Sequence, residues 1–352
     1  MKVLVTGDRG YLGSVLVPML RRAGHDVVGV DNGWRDVPPT KRSPYPYEQR
    51  DGDVRDLDAA NLAGVGAVVH LAGTASTPQD DWAASVVQTQ LVDMARAVSS
   101  AAARAGVERL VMVSSRDVYH GRPATTTTGA PLLDRSSPLA SARISAEDAF
   151  RLAASPAASV AVLRLATLYG ASPRLRLDDE LNRAVVAALV DGAVAVDHDG
   201  SRQRAFLHVK DACRTIVHAL VRLGQTTTAG SDTIDVGRAE DVLTLRDALE
   251  LVGVITGAPV TFGTSPDDGE VLPADLGRLA QVWPGLALRW TLAHGIRDLC
   301  RDLTTSHVDA EWVRRTASAR AVHEEDVGAA GAARAAVPRR PRAATGLRHH
   351  RG

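Results

Sequence analysis

A glycine-rich turn between two apolar runs constrains the fold of this chain more than any other feature. Residues 2–6 form a short apolar run, and the turn at residues 7–13 follows directly. Residues 14–23 have apolar side chains at helical spacing, and a second apolar run, 26–30, ends at Asp31. This order predicts a strand, a helix and a second strand parallel to the first, which is how a parallel sheet begins.

The same alternation of strand and helix patterns continues as far as residue 170. Apolar runs typical of strands occur at 67–71, 110–113 and 160–165, and helical stretches occur at 81–105 and 141–154. Repeated units of this kind are typical of a doubly wound parallel sheet with helices on both faces. We therefore predict an α/β fold in which residues 1–170 form the main, cofactor-binding domain.

The pattern loosens beyond residue 170. We predict a smaller C-terminal substrate-binding lobe in residues 171–204 and 237–303, with a return to the main domain near 205–236. From about residue 304 the pattern is lost, and the last part of the chain is rich in Ala, Arg, Pro and Gly. Because such a composition buries little apolar surface, we expect residues 304–352 to be a disordered tail.

The composition excludes several classes of protein. The chain has 41 basic and 41 acidic side chains, a balance that does not indicate nucleic-acid binding. Its two cysteines, Cys213 and Cys300, have no metal-ligand spacing and fit a reducing compartment. No apolar run reaches the roughly 18–20 residues that cross a bilayer, and no signal-peptide pattern is present. We predict a cytoplasmic monomer or homodimer that acts on a small molecule, without metal, nucleic acid or membrane.

The turn has the pattern Gly-x-x-Gly-x-x-Gly, formed by Gly7, Gly10 and Gly13. The first glycine permits a tight turn after the strand, the second lets the backbone approach a pyrophosphate, and the third lets the helix pack on the sheet. The free N–H groups at the start of the helix then attract phosphate. Since a strand precedes the turn and a helix follows it, we predict a dinucleotide site. Its loop members are Gly7, Arg9, Gly10, Tyr11, Leu12 and Gly13.

The form of the dinucleotide depends on the end of the second strand. A carboxylate at Asp31 is suited to the adenosine ribose hydroxyls and favours NAD, and Asn32 follows it. Arg9 and Arg35 are both placed to pair with a 2′-phosphate, which favours NADP. We therefore predict NAD(P)H as cofactor and leave the choice between NAD and NADP open.

Two further segments follow predicted strands and complete the cofactor site. Asp53 and Val54 come after the third strand, where a carboxylate either accepts from the adenine amino group or caps the next helical turn. Leu71, Ala72 and Gly73 follow the fourth strand, where small side chains permit close approach of the cofactor.

Taken together, these segments resemble the NAD-dependent epimerase/dehydratase family of extended short-chain dehydrogenases/reductases, which has a Rossmann fold. The resemblance covers about residues 1–300. Besides the loop, Asp31, Asp53-Val54 and His70-Leu-Ala-Gly73, it rests on Val113-Ser-Ser-Arg-Asp-Val-Tyr119, Arg164-Leu-Ala-Thr-Leu-Tyr-Gly170 and Arg204-Ala-Phe-Leu-His-Val-Lys-Asp211. It also implies that Val113 and Ala166 contact the cofactor.

The resemblance implies a catalytic serine, here Ser115, and a Tyr-x-x-x-Lys pair on the next helix. This chain departs from that pair, because Leu139 stands in the tyrosine position and Arg143 in the lysine position. Ser85 occupies the usual asparagine position, and Arg116 occupies the position of the acid in the dehydratase branch. We predict that Ser115 polarises the substrate carbonyl and that Arg143 binds the nicotinamide ribose.

The missing tyrosine leaves three functional hypotheses. The first is an NAD(P)H-dependent ketoreductase of an aromatic polyketide from an antibiotic pathway, in which a phenol or enol of the substrate assists protonation. This resembles the tyrosine-less ketoreductases of the family that act on angucyclinone-type polyketides. The second is a nucleotide-sugar ketoreductase or epimerase with a relocated acid and a diphosphate held by Arg204. Candidate acids are Tyr119, His120 and Tyr169. The third is a cofactor-binding sensor without turnover.

Overall fold

The chain forms a large sheet with helices on both faces and two smaller sheets beside it. The computed structural model describes residues 1–33, 39–40, 45–73, 81–119, 133, 135–225, 230–267, 276–306, 308–314, 316 and 348–350. For residues 81–87 and 348–350 the description covers the backbone alone.

The strands follow the predicted order along the chain, with additional short strands in the second half. They are β1 (Lys2–Thr6), β2 (Asp26–Asp31), β3 (Glu48–Asp51), β4 (Ala67–His70), β5 (Arg109–Ser115), β6 (Ser159–Leu165), β7 (Thr167–Tyr169), β8 (Val194–His198), β9 (Gln203–His208), β10 (Ser231–Val236), β11 (Val242–Thr244), β12 (Val260–Ser265) and β13 (Arg348–His350).

Eight α-helices alternate with these strands in the described part of the chain. They are α1 (Gly13–Arg22), α2 (Asp81–Ala105), α3 (Pro138–Arg151), α4 (Glu180–Val190), α5 (Val209–Leu223), α6 (Leu245–Thr256), α7 (Gly277–Val282) and α8 (Leu292–Thr305). None of them has the length and hydropathy of a segment that crosses a membrane.

The main sheet has the strand order β10-β6-β5-β4-β1-β2-β3-β13. The neighbouring strands from β10 to β3 are all parallel. The chain winds outward from β1 to β3 and then returns to build the other half from β4, so the predicted doubly wound parallel sheet is confirmed. In such sheets ligands bind at the carboxyl ends of the strands, where the winding direction changes, and here that point lies between β1 and β4.

Alternate side chains of the central strand face two helical layers. Val3 and Val5 of β1 belong to the apolar cluster that contains residues of α1 and α5, whereas Leu4 belongs to the cluster that contains residues of α2 and α3. All three are fully buried. Because both faces are covered, the strands are nearly continuous apolar runs, which is typical of parallel sheets.

The second half of the chain differs from the prediction in one respect. β10 returns to the main sheet beside β6, as expected, but β9 does not. It pairs with β7 and β11 in a separate three-stranded sheet. An apolar run predicts a strand, but the sheet that a strand joins is set by its neighbours, which the run itself does not specify.

Part of the region predicted to be a disordered tail, residues 304–352, has regular secondary structure. Helix α8 continues to Thr305, residues 310–314 are helical, and Trp312 is buried against the main apolar cluster. The short strand β13 pairs with β3 in antiparallel orientation. For residues 317–347 the prediction lies outside the described residues.

Local sequence sets the position of α3, the helix that carries the altered catalytic pair. The Ser137 hydroxyl accepts a hydrogen bond from the Ala140 N–H, and Pro138 begins the helix where no N–H is required. Leu139, Arg143 and Glu147 follow at intervals of four residues. They therefore lie along one face of α3.

Candidate cofactor and catalytic site

The glycine turn has the geometry that its sequence predicts. Gly7 has a φ of 73°, a left-handed conformation, and a Cβ there would lie 2.9 Å from the Ala72 backbone nitrogen. A Cβ on Gly13 would overlap the Gly7 carbonyl oxygen and the Asp8 backbone. The Gly10 N–H donates to the Gly7 carbonyl at 3.1 Å, which closes the turn directly before α1. The turn thus keeps backbone surface open at a helix start, as a pyrophosphate requires.

Thr6 and His70 join this turn to the loop after β4. The N–H groups of Leu71 and Ala72 donate to the Thr6 hydroxyl oxygen at 3.2 and 3.3 Å. The Thr6 hydroxyl lies 2.8 Å from His70 Nδ1, and burial lowers the pKa of His70 to about 4. The imidazole is therefore neutral at pH 7, and its tautomer sets which of the two groups donates this hydrogen bond. Sequence reasoning assigned no role to Thr6, although its place before Gly7 was a usable signal.

Asp31 binds the turn through both carboxylate oxygens. One oxygen accepts from the Gly33 N–H at 2.8 Å, and the other from the Arg9 N–H at 3.3 Å. The Arg9 guanidinium donates to the Asp31 carbonyl at 2.8 Å and lies 2.9 Å from an oxygen of Asp51. Asp51, at the end of β3, is a member of the site that sequence reasoning missed.

Asp8, inside the glycine turn, was also missed. Its carboxylate accepts from the Tyr47 hydroxyl at 2.7 Å and from the Gln49 side-chain amide at 2.9 Å. It lies against Gly29, where a Cβ would overlap it. Burial raises the pKa of Asp8 from 3.8 to about 6, despite those two donors. A charged side chain within the glycine turn was a usable signal, because a buried carboxylate needs hydrogen-bond donors near it.

The remaining adenosine-side predictions have mixed outcomes. Tyr11 and Leu12 are buried, and the Tyr11 hydroxyl donates to the Gly170 carbonyl at 2.8 Å, so its side chain anchors the turn to the loop after β7. Asn32 is exposed beside Asp31. Arg35 lies outside the described residues.

Asp53 acts as a helix cap, the alternative that the sequence left open. Its carboxylate accepts from the Arg55 N–H at 2.9 Å and forms an ion pair with the Arg55 guanidinium at 2.5 Å. Val54 is buried beneath this short helical turn. The capping prediction is confirmed, and a contact between Asp53 and adenine stays a prediction.

A cavity at the carboxyl ends of β4 and β5 brings three predicted cofactor residues together: Ala72, Val113 and Arg143. Its full lining is His70, Ala72, Leu91, Met112, Val113, Ser114, Arg143 and Ala146. Gly73 lies on the exposed side of the same loop, and Ala166 is buried at the end of β6.

Arg143 offers this cavity a hydrogen-bond donor. Its side chain is mostly buried, and its guanidinium lies 3.7 Å from a carboxylate oxygen of Asp117. Its Nε is buried and has no hydrogen-bond partner among the described residues. Because an unpaired buried donor is costly, this atom fits a ligand hydroxyl such as that of a ribose. Together with the glycine turn, it shows that the residues present fit a dinucleotide.

Ser115 and Leu139 occupy the two positions that the family resemblance predicts to be catalytic. Ser115 ends β5, and its hydroxyl oxygen accepts from the Asp117 N–H at 3.2 Å. Leu139 lies in the first turn of α3 and is partly exposed. Arg116, next to Ser115, is buried, and burial lowers its pKa. The side chain of Ser85 lies outside the described residues.

Below the cavity, α3 is fixed by a buried ionic network centred on Glu147. This carboxylate is fully buried and accepts two hydrogen bonds from Arg164, at 2.9 and 2.6 Å. It also accepts from Arg151 at 2.6 Å and from the Ser114 hydroxyl at 2.7 Å. The network ties α3 to β5 and β6, so it positions Arg143 one turn away.

The two tyrosines proposed as relocated acids are engaged elsewhere. The Tyr119 hydroxyl lies 2.9 and 3.0 Å from the two Asp235 oxygens, and it accepts from Arg164 at 2.7 Å. The Tyr169 hydroxyl donates to the Thr291 carbonyl at 3.2 Å. Burial raises the pKa of both above the usual range. Both hydroxyls are therefore engaged within the fold, and their role as relocated acids stays a prediction. His120 lies outside the described residues.

Arg204, the predicted diphosphate ligand, lies in an ion-pair cluster. Its guanidinium is 2.5 Å from Glu180 and 3.9 Å from Asp267. Glu180 also bonds His198 at 2.9 Å, and these contacts lower the pKa of Glu180 although burial opposes them. The positive charge of Arg204 is therefore shared with two acids.

Comparison with known proteins identifies the family. The model of the NAD dependent epimerase/dehydratase family matches residues 3–234. The chain belongs to this family. The predicted resemblance to this family and the dinucleotide cofactor are thereby confirmed, and the family description specifies NAD. The resemblance to angucyclinone ketoreductases stays a prediction.

Relatives and solved structures match over most of their length. The UDP-glucose 4-epimerase of Mycolicibacterium smegmatis is 28% identical over 304 residues, which cover 79% of this chain and 88% of the relative. That of Corynebacterium glutamicum is 25% identical over 292 residues, 76% of this chain and 84% of the relative.

Two solved structures have similar folds. MoeE5 in complex with UDP-glucose and NAD is 27% identical with a TM-score of 0.72, over 88% of this chain and all of that one. DesIV, a dTDP-glucose 4,6-dehydratase from Streptomyces venezuelae with NAD bound, is 26% identical with a TM-score of 0.70, over 87% and 97% of the two chains.

Proposed function

We propose that this protein is an NAD-dependent oxidoreductase that exchanges a hydride with a carbon of a sugar nucleotide, without a tyrosine as acid or base. The observation that carries the proposal is the shared cavity of Ala72, Val113 and Arg143 beside an intact glycine turn. Two features support the cofactor half of the proposal: the glycine turn keeps its open backbone, and Arg143, which replaces the usual lysine, lines the cavity.

The roles of the side chains follow from their chemistry. When bound, NAD supplies the hydride donor or acceptor. Ser115, at the end of β5, donates a hydrogen bond to the substrate oxygen. Arg143 donates to the ribose through its unpaired Nε and stays charged, so it transfers no proton. Leu139 has no proton to give, which costs a step that needs an acid about 10²–10⁴-fold in rate.

The substrate class is supported by the relatives. Epimerases of UDP-glucose align with three quarters or more of this chain, and MoeE5, solved with UDP-glucose, aligns over its full length. These matches extend through the second half of the chain, beyond the cofactor domain. They favour a sugar nucleotide over a polyketide, with oxidation and reduction at one carbon as the common chemistry.

A second candidate is reduction of a ketone that carries its own acidic hydroxyl, as in an aromatic polyketide. Two observations favour it. Leu139 removes the protein's acid, and Arg204 is paired with Glu180 and Asp267, so less positive charge remains for a diphosphate. A phenol or enol next to the ketone replaces the missing acid, and a neutral substrate needs no diphosphate ligand.

Direct binding separates the two candidates. The protein with NAD is titrated calorimetrically with UDP-glucose and dTDP-glucose, and the protein with NADH is titrated with a phenolic ketone. The formation or consumption of NADH is followed by absorbance. A sugar nucleotide is expected to bind and to exchange hydride slowly. Turnover of the phenolic ketone, with no binding of either sugar nucleotide, supports the second candidate instead. Cofactor binding with no turnover contradicts both and leaves a sensor.

Restoring the pair sharpens this test. In the double variant Leu139→Tyr with Arg143→Lys, hydride exchange on a sugar nucleotide is expected to rise by about tenfold or more, because an acid returns. The matched control carries Leu139→Phe with Arg143→Lys, which adds the ring without the hydroxyl. If the substrate provides its own acid, the two double variants have the same rate.

A further inference from the structure

The adenosine end of the site contains a guanidinium that contacts the ends of two neighbouring strands, through the main-chain carbonyl of Asp31 and the carboxylate of Asp51. Arg9 lies in the glycine turn, and its Nη2 donates to the Asp31 carbonyl at 2.8 Å and lies 2.9 Å from Asp51 Oδ1. The Arg9 backbone N–H donates to the Asp31 carboxylate at 3.3 Å. The Arg9 side chain is 20% exposed, so it rests against the surface of the turn.

The sheet register fixes this arrangement. β2 and β3 are parallel neighbours, and Asp31 and Asp51 are partners at their carboxyl ends. The guanidinium of Arg9 bridges from the turn to the second of these strands. It also lies 3.2 Å from where a Cβ on Gly33 would be, so Gly33 leaves room for it. The bridge is therefore built from three segments that the fold brings together.

The charge balance around Arg9 is negative among the described residues. Asp31, Asp51 and the buried Asp8 lie around one arginine. Burial is the main cause that raises the pKa of Asp8, the charge of Asp31 adds to it, and Arg9 opposes it. A 2′-phosphate on the adenosine ribose would lie beside Asp31, the residue suited to the ribose hydroxyls. Of the two arginines predicted to pair with such a phosphate, Arg9 is the one that the structure describes, and its guanidinium is already paired with Asp51.

We propose that Asp51 holds Arg9 away from the ribose and thereby makes this protein select NAD against NADP. Asp31 alone discourages a 2′-phosphate by repulsion. Asp51 adds to this by occupying the donor that would otherwise pair with the phosphate. The inference concerns cofactor binding and rests only on the cofactor part of the proposed function. Its test is therefore independent of which substrate the protein uses.

The experiment measures dissociation constants of NAD and NADP by calorimetry, with no substrate present. Four proteins are compared: wild type, Asp51→Asn, the double variant Asp51→Asn with Arg9→Ala, and Asp56→Asn. The last removes an exposed carboxylate five residues away and controls for net charge. Asp51 is half-exposed, so its substitution is compatible with folding, which circular dichroism verifies.

Wild type is expected to bind NAD at least about tenfold more tightly than NADP. Asp51→Asn is expected to bind NADP about tenfold more tightly than wild type does, with little change in NAD affinity, because one charge-assisted pair with the phosphate becomes available. The gain should vanish in the double variant and be absent in Asp56→Asn. The proposal is overturned if wild type binds NAD and NADP equally, or if Asp51→Asn does not bind NADP more tightly. It is also overturned if the tighter NADP binding persists in the double variant or appears in Asp56→Asn. The proposal is also overturned if wild type binds neither NAD nor NADP.

Discussion

The two ends of the dinucleotide site are built in different ways. At the adenosine end, backbone geometry dominates: glycines at 7, 10 and 13 leave room that no side chain fills, and Asp31 bonds the turn directly. At the nicotinamide end, side chains dominate, and there the chain has an aliphatic residue and an arginine where the family pattern has an acid and a lysine.

This contrast separates binding from proton transfer. Backbone space and a helix start are sufficient to hold a pyrophosphate, and both are intact. Proton transfer needs a titratable side chain within hydrogen-bond reach, and the nearby tyrosine, Tyr119, is bonded to Asp235 and Arg164. In the proposed function the chain retains hydride chemistry, while Leu139 supplies no proton at the position of the usual acid.

The largest expected effect is at the anchor of the nicotinamide end. Glu147→Ala leaves the buried guanidinium of Arg164 without its partner, and removing one member of a buried ion pair costs about 3–5 kcal/mol. Urea denaturation should detect this loss. Asp148→Ala, which removes a half-exposed pair of Arg151 on the same helix, is the control and should cost at most about 1 kcal/mol. Equal losses would mean that the network does not anchor α3.

A pH-dependent effect is expected at the adenosine end. The pKa of Asp8 is raised by burial from 3.8 to about 6 in the folded protein, so the native state binds more protons than the unfolded state between these values. Stability from this group is therefore greatest below pH 4 and is lost as the pH rises to about 6, by about 3 kcal/mol in all.

The variant Asp8→Asn tests this expectation because it is shaped like the protonated acid. Relative to wild type, it should gain stability as the pH rises from 4 to 6 and keep a constant advantage above pH 6. Urea denaturation at several pH values gives the difference. A difference that does not change with pH would place the carboxylate in contact with solvent.

The sequence predicted the local features of the fold and the site, and it missed those that join distant parts of the chain. The glycine turn, the order of strands and helices as far as β6 and the acid at the end of β2 are local features, so the sequence alone was sufficient. The bridge from Arg9 to Asp51 and the network around Glu147 join residues distant in the chain, at 42 and 17 positions apart, and depend on strand register. The placement of β9 in a separate sheet was missed for the same reason.

A third effect concerns packing at the turn. Gly13→Ala places a methyl group against the Gly7 carbonyl and the Asp8 backbone, which are not flexible side-chain ends. Overpacking of this kind costs about 1–3 kcal/mol, and NAD affinity should fall with it because the turn shifts. Gly285→Ala is the control, since a Cβ there meets nothing within 4 Å. Thermal melts with and without NAD measure both effects.

The smallest effect decides whether the nicotinamide end truly lacks an acid. Tyr119→Phe removes one hydrogen bond to the buried Asp235 carboxylate and one from Arg164, so it should cost about 1–2 kcal/mol of stability. Its turnover number should stay within about threefold of wild type, with an unchanged pH profile, because a group bonded in this way is not released to a substrate. If the turnover number instead falls about 10²-fold or more while stability changes as expected, Tyr119 is the relocated acid. In that case the nicotinamide end keeps an acid, at position 119 instead of position 139.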